Sequence, residues 1–346
     1  MSSRVRRQRT SGVRCVSGGP GVLPGLLAQR LDVPRIVFEG DLQAAPAGGP
    51  GRSAANASLA GSTWVHVAHE PSDGLLSASD RVPAAAAMVA AVRSARGAGV
   101  ERLVVVSSAM AHGALPGRVG LIDEAAPLSH VRDGSVADVL LDVEQIADAS
   151  REGAFAVVML RPTVLVGPGI DSPFTRQLHA LGVLSVRGEP LRWQLCHVDD
   201  LVAAVRIAAQ GALDELQSAT VTPPGWLDAG DLASLTRRRR VELPASVLFG
   251  AAERLQKVGV AAESLGALRF VVHPWAVDAR RLMAAGWQPA VSHQEAVVQV
   301  LSDEGSVPSR GPGRREAWGA AGAAGVTVAA LGTAALVRRA RKHPGR

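Results

Sequence analysis

The sequence predicts an α/β protein built on a doubly wound parallel sheet. Three observations lead there: short apolar runs rich in β-branched residues recur between helical stretches, the runs lack strict alternation, and the first of them enters a glycine-rich turn followed by a helix. Runs that are apolar at nearly every position suit strands covered on both faces, the condition of a parallel sheet between helical layers. A chain of 346 residues, 47% of them hydrophobic, can build one large domain with a smaller appended part.

The elements follow in order. Residues 1–12 lie in a basic stretch, "MSSRVRRQRTSGVR", with no secretory apolar run or cleavage site behind it, and are expected to form a disordered arm. "VRCVSGG" (13–19) is a strand entering the turn, and "GLLAQRL" (25–31) begins a helix. "RIVFEG" (35–40), "TWVHVA" (63–68), "RLVVVSS" (102–108) and "FAVVMLRP" (155–162) are further strands, with helices over 84–97 and 136–149. The stretch 41–62, "DLQAAPAGGPGRSAANASLAGS", is low in complexity and loop-like. A full dinucleotide-binding half would place another helix and strand there, so the sheet is predicted to be shortened after its second strand. There is no internal repeat.

Composition narrows the function classes. The net charge of +6 comes almost wholly from arginine, because lysine occurs only at 257 and 342. With abundant Ala, Gly and Val this is the signature of a GC-rich coding sequence, and it is not in itself a nucleic-acid footprint. The run "TRRRRVELP" (236–244) has no interleaved aromatics and reads as a solvated helix end. Cys15 and Cys196 sit in apolar contexts and are expected as reduced core thiols of a cytoplasmic protein. His66 and His69 end a strand three apart, which points them to opposite faces, and no metal site is expected.

The C-terminal end differs in character. A linker, "SDEGSVPSRGPGRRE" (302–316), precedes 21 uncharged residues, 317–337, and a basic tail, 338–346. The length suits a membrane span and the basic flanks suit an anionic lipid surface. Its Ala and Gly content makes insertion marginal, so an apolar helix touching a membrane competes with a helix packed on the protein and with a disordered tail.

The segment "SGGPGVLPG" (17–25) follows a strand and precedes a helix, the context in which a glycine pattern carries a phosphate-binding meaning. Gly18 and Gly21 would allow a tight turn and close approach of a pyrophosphate to the helix start, with the amides of Val22 and Leu23 available to it. Pro24 stands where a third glycine belongs, adding bulk and removing one N–H. A weakened dinucleotide site and a purely structural turn are the two readings.

From this turn onward the chain resembles an extended short-chain dehydrogenase/reductase of the NAD-dependent epimerase/dehydratase family, the group that includes UDP-glucose 4-epimerase. The resemblance runs collinearly over 13–301. "VFEGDL" (37–42) is similar to the strand whose aspartate, here Asp41, lies near adenine; "WVHVA" (64–68) and "GVERLVVVSSAMAHG" (99–113) are similar to the next two core strands. "LRPTVLVGPG" (160–169), "LRWQLCHVDDLVAA" (191–204), "ATVTPPGWLDAGDLASL" (219–235) and "VDARRLMAAGWQP" (277–289) resemble the signatures that follow. The resemblance implies a Rossmann-like fold with substrate-side parts mainly at 162–190 and 219–289, NAD or NADP as cofactor, a nucleotide-sugar ligand and a homodimer. It implies that Ser107 touches the cofactor, that Ser108 is the retained catalytic serine, and that Arg192 and His197 face substrate. If Asp41 belongs to the family's third strand, the second strand and its ribose-holding acid are gone, and Glu39 is the substitute.

The family's reaction needs a tyrosine phenol to move the substrate proton and a lysine four residues on, sharing its helix face, to lower the phenol's pKa. Counting back from Glu144, the family's glutamate, places Val136 at the tyrosine position and Leu140 at the lysine position. The whole chain has no tyrosine, and Lys257 and Lys342 lie outside the region, so no shift of register restores the pair. His112, His130, Asp138 and Asp142 are the substitutes to weigh, imidazole being better matched to neutral pH; the aspartates also read as a solvated helix face, and Asp199 and Asp200 as caps of a helix over 201–210. Two functions remain open: a binding or scaffolding module for a nucleotide or nucleotide sugar that has lost hydride chemistry, or an atypical epimerase/dehydratase working with Ser108 and His112 or an aspartate.

Overall fold

The structure, a computed structural model, describes residues 12–19, 21–37, 59–70, 81–128, 132, 134–151, 155–179, 182–257 and 265–303. Glu39, Asp41, His130, the arm through residue 11, and the linker from 304, the apolar segment 317–337 and the basic tail lie outside the described residues.

In chain order the strands are β1 (Val13–Gly18), β2 (Arg35–Val37), β3 (Thr63–Val67), β4 (Arg102–Val106), β5 (Ala156–Pro162), β6 (Val164–Val166), β7 (Val183–Val186), β8 (Leu195–His197), β9 (Ser218–Val221) and β10 (Arg240–Leu243). The helices are α1 (Val22–Leu31), α2 (Arg81–Gly97), α3 (Val136–Ala149), α4 (Pro173–Leu178), α5 (Val198–Ala209), α6 (Ala229–Thr236), α7 (Ala245–Lys257), α8 (Leu265–Val272), α9 (Arg280–Ala284) and α10 (His293–Ser302). A 3₁₀ turn occupies Ala109–His112.

Six strands form one parallel sheet in the order β2-β1-β3-β4-β5-β9. Every residue of β3 and β4 is buried, as their unbroken apolar runs require of strands sandwiched between helices. Side chains alternate between the faces: Leu103, Val105, Val157 and Met159 join residues of α2 and α3, while Val104, Val106, Val158 and Leu160 join residues of α1 and α5.

β2 pairs directly with β1, Val16 opposite Arg35 and Gly18 opposite Val37, and is the edge strand of the sheet among the described residues. Asp41 and the stretch 41–58, on which the assignment of this strand and the shortening of the sheet turn, lie outside the described residues. The chain leaves β1 toward β2 on one side and returns to β3 on the other. The crevice where ligands bind in such sheets therefore lies at the C-terminal ends of β1 and β3.

Smaller elements cover those ends. β6 pairs with β8 and β7 with β10, and the rings of Phe174, Trp193, Phe270 and Trp275 meet edge-on or tilted at 5.7–6.3 Å between centroids. Asp200 is not a cap. It is buried and accepts the N–H groups of Ala290 at 2.7 Å and Val291 at 3.2 Å, fastening α5 to the segment before α10. Asp199 is half exposed and pairs with Arg30. Both cysteines are buried and free, and burial pushes the Cys15 thiol up to about 12.

Candidate functional site

The glycine turn is filled from within the protein. α1 begins after Gly21, which offers no side-chain cap, and no acidic residue lies in its first turn, so its leading N–H groups need acceptors from elsewhere. Leu23 N–H donates to Glu70 Oε2 at 2.9 Å, from a carboxylate just past the end of β3 whose residue is 8% exposed. A Cβ built on Gly21 would lie 2.1 Å from that oxygen and 2.3 Å from Glu70 Cγ and Cδ. A Cβ on Gly18 would lie 2.6 Å from Pro24 Cγ and 3.1 Å from Val67 Cβ.

Both glycines are thus needed, but for protein atoms. Gly18 makes room for the proline ring, and Gly21 makes room for Glu70. The expected cradle of Gly18, Gly21, Val22 and Leu23 is corrected accordingly: the Leu23 amide already has its acceptor, and the approach over Gly21 is taken. A dinucleotide diphosphate does not fit the turn in this arrangement.

Beside the turn, the ends of β3, β4 and β5 open into a narrow cleft of about 30 Å³ lined by His69, Ser107, Ser108, Thr163, Phe174 and Trp275 among others. Ser107 donates to Glu144 Oε1 at 2.6 Å, and Glu144 in turn accepts from Arg161 Nη2 at 2.6 Å and from its Nε at 3.1 Å. Ser108 Oγ accepts Met110 N–H at 3.3 Å, capping the 3₁₀ turn. Thr163 Oγ1 and His69 Nδ1 are buried without a hydrogen-bond partner. Burial pushes the His69 imidazole down to about 4, so it is neutral at pH 7. The cleft combines apolar walls with uncharged donors and acceptors, the chemistry that receives hydroxyl-bearing ligands.

Val136 and Leu140, at the places of the tyrosine and the lysine, are fully buried. They belong to the apolar cluster of Met110, Val164, Phe174 and Trp275. The substitutes fare no better. His112 is 2% exposed, lies outside the cleft lining, and has neither ring nitrogen hydrogen-bonded; burial, with the charges of Arg161 and Arg118, pushes it down to about 3. The reading of Asp138 and Asp142 as a solvated face is corrected: Asp138 is buried and accepts Gly134 N–H at 2.9 Å, and Asp142 is half-buried between Arg81 and Arg132, at 2.6 and 2.7 Å.

Arg192 donates to Gly120 O at 2.9 Å and lies 5.0 Å over the Trp226 ring. It lines a second, smaller cleft of about 10 Å³ that shares Val164, Phe174 and Trp275 with the first. His197 lines neither; its Nδ1 accepts Asp199 N–H at 3.3 Å and caps α5. His66 is held at Ser17 Oγ, 2.9 Å away, so the two histidines of β3's end are separated in role as well as in face. A larger cavity of about 360 Å³ beside the β5–β9 edge is lined by Glu124, Glu144, Arg151, Arg161 and Arg281 among others. Glu144 and Arg161 are paired there, and Glu124 accepts the Thr220 and Arg281 N–H groups at 2.8 Å.

Sequence reasoning missed Glu70 and Thr163 and gave His69 no site role. Glu70 lies outside the residues that a motif singles out, Thr163 lies within "LRPTVLVGPG" (160–169) without a role assigned to it, and only the close approach of the β3 and β5 ends to the turn and cleft gives all three meaning.

No protein-family model matches the sequence, and no curated protein matches it significantly. Solved structures match the fold over most of the chain. UDP-glucose 4-epimerase from Thermotoga maritima, solved with UDP-glucose, is 13% identical, with 83% of this chain and 97% of that one covered and a TM-score of 0.53. A mutant UDP-glucuronic acid 4-epimerase from Bacillus cereus, in complex with UDP-4-deoxy-4-fluoro-glucuronic acid and NAD, is 11% identical, covering 83% and 99%, with a TM-score of 0.57. RMD from Pseudomonas aeruginosa, complexed with NADPH, is 14% identical, covering 84% and 98%, with a TM-score of 0.56. The fold is that of the extended short-chain dehydrogenase/reductases. On that fold, the turn after β1 is where this chain carries Glu70, and α3 is where it carries Val136 and Leu140.

Proposed function

We propose that this chain binds a nucleotide or nucleotide sugar in the cleft at the ends of β3, β4 and β5 and performs no hydride transfer. One observation carries the reading: the positions that would hold the phenol and the ammonium are apolar and fully buried in α3, and among the described residues lining the cleft there is no second phenol or ammonium. Proton transfer from a substrate hydroxyl needs a group within hydrogen-bond reach whose pKa suits the working pH. Ser108 lacks a base, His112 lies outside the cleft lining, and Asp138 and Asp142 are committed to α3 and its neighbours. These placements disfavour the active-enzyme reading.

What supports binding is the retained cleft, lined by neutral His69, whose Nδ1 lacks a partner as does Thr163 Oγ1, and by the Phe174 and Trp275 rings. Arg192, in the adjoining cleft, is the cation for a phosphate of the ligand. Structures that share this fold hold UDP-glucose, NAD or NADPH. In this chain the sugar-nucleotide side is favoured over the dinucleotide, because Glu70 closes the turn.

The test is calorimetric titration of the full chain with UDP-glucose and UDP-glucuronic acid. Binding that Thr163→Val and Trp275→Ala each weaken severalfold supports the reading; no heat with either compound, or binding indifferent to both substitutions, removes it. The same reading has the chain cytoplasmic, pairing with a second copy, and touching membranes through 317–337. Sedimentation of the purified chain tests the pairing, and fractionation beside a chain ending at Ser309 tests the membrane contact.

A further inference from the structure

We infer that Glu70 is a resident anion for the glycine turn: its carboxylate sits where a diphosphate would sit, closing the turn to dinucleotides, and its removal reopens an anion seat. Three observations converge on it. The first is electrostatic. The positive end of the ten-residue α1 has no acidic residue in its first turn and no side-chain cap, and an N-terminal helix end favours a negative charge. The carboxylate that supplies it comes from 47 positions along the chain and makes a charge-assisted hydrogen bond to Leu23 N–H at 2.9 Å.

The second is steric. Glu70 Oε2, Cδ and Cγ all lie within 2.3 Å of where a Gly21 Cβ would be, so the side chain lies flat on the glycine that a phosphate group would have to approach. A diphosphate meets both filled volume and a like charge there, and each opposes it.

The third concerns what is left when Glu70 is gone. Arg35 Nη2 donates to Gly19 O at 2.5 Å on the same turn, and its buried Nε has no hydrogen-bond partner. The Leu23 amide and the helix end would then face the vacated volume, with the Arg35 guanidinium held on the same turn at Gly19 O. That combination is a diphosphate seat. The inference goes beyond the sugar-nucleotide reading, which concerns the neighbouring cleft.

The experiment compares the full chain with Glu70→Ala and Glu70→Gln, each titrated with inorganic pyrophosphate and with NAD and followed by calorimetry. The unaltered chain is expected to bind neither at millimolar ligand. Glu70→Ala, which removes bulk and charge, should bind both at least tenfold more tightly than the unaltered chain. Glu70→Gln keeps an acceptor for Leu23 N–H, and so keeps the fold even where the alanine variant does not; it should show an intermediate gain. NAD bound by the unaltered chain as tightly as by the variants overturns the inference, and so does a folded Glu70→Ala or Glu70→Gln that gains nothing. Trp275→Ala separates the two sites: placed on Glu70→Ala it should leave the pyrophosphate gain in place while weakening UDP-glucose binding in the cleft severalfold.

Discussion

Ser107 donates its hydroxyl hydrogen to Glu144 at 2.6 Å, which commits a cleft-lining serine to the buried Glu144–Arg161 pair beneath it. The pair joins α3 to β5, with both side chains at most 10% exposed. Removing one partner strands the other charge. Glu144→Ala is expected to cost about 3–5 kcal/mol, measured as a fall in the urea midpoint with unchanged slope. A loss under about 1 kcal/mol, the value of an exposed pair, would show that the pair is solvated.

Restoring the family's chemistry by substitution should damage the fold before it creates activity. Leu140 lies in an apolar cluster, so Leu140→Lys places an ammonium without a partner there and is expected to cost about 3–5 kcal/mol. Thermal melting of Leu140→Lys and of the double variant with Val136→Tyr checks this. A double variant as stable as the original chain would mean that α3 has room and solvent at these positions.

Gly21 and Glu70 should be energetically coupled. Gly21→Ala drives a methyl into the Glu70 side chain and is expected to cost about 1–3 kcal/mol; on a Glu70→Ala background the clash is gone and less than half of that cost should survive. Additive effects in a double-mutant cycle would show that the carboxylate does not lie on the glycine.

Stability should fall as the solution is acidified through the histidine range. Burial pushes His66 and His69 from 6.5 down to about 4 and His112 down to about 3, so between those limits the unfolded chain binds protons that the folded chain refuses. Stability therefore rises with pH in that window and is lost as pH drops from about 6.5 toward 4. His112→Leu removes one of these contributions without leaving a partner unsatisfied, because neither ring nitrogen is hydrogen-bonded. Its denaturation midpoint should depend less steeply on pH; a slope equal to that of the unaltered chain would place His112 in contact with water.

The sheet was largely legible because burial on both faces writes itself as unbroken apolar runs, as in "RLVVV" (102–106). The absence of the catalytic pair was legible from composition alone. The place of β2 was not, since three residues of strand carry no mark of which neighbour they will pair with. Asp138 misled for a related reason: a polar residue on an amphipathic helix reads as exposed unless the backbone N–H it will accept, here Gly134's, is known. Glu70 was invisible because its meaning lies in a contact with Gly21 across 49 positions, which only the parallel return of the chain to β3 creates.

The most direct measurement incubates the purified full chain with NAD and UDP-glucose, then with NADP, and follows reduced nicotinamide together with UDP-galactose formation. Ligand binding in the cleft with neither product is what a scaffold lacking phenol and ammonium should give. Steady formation of either product, abolished by Ser108→Ala, would contradict it.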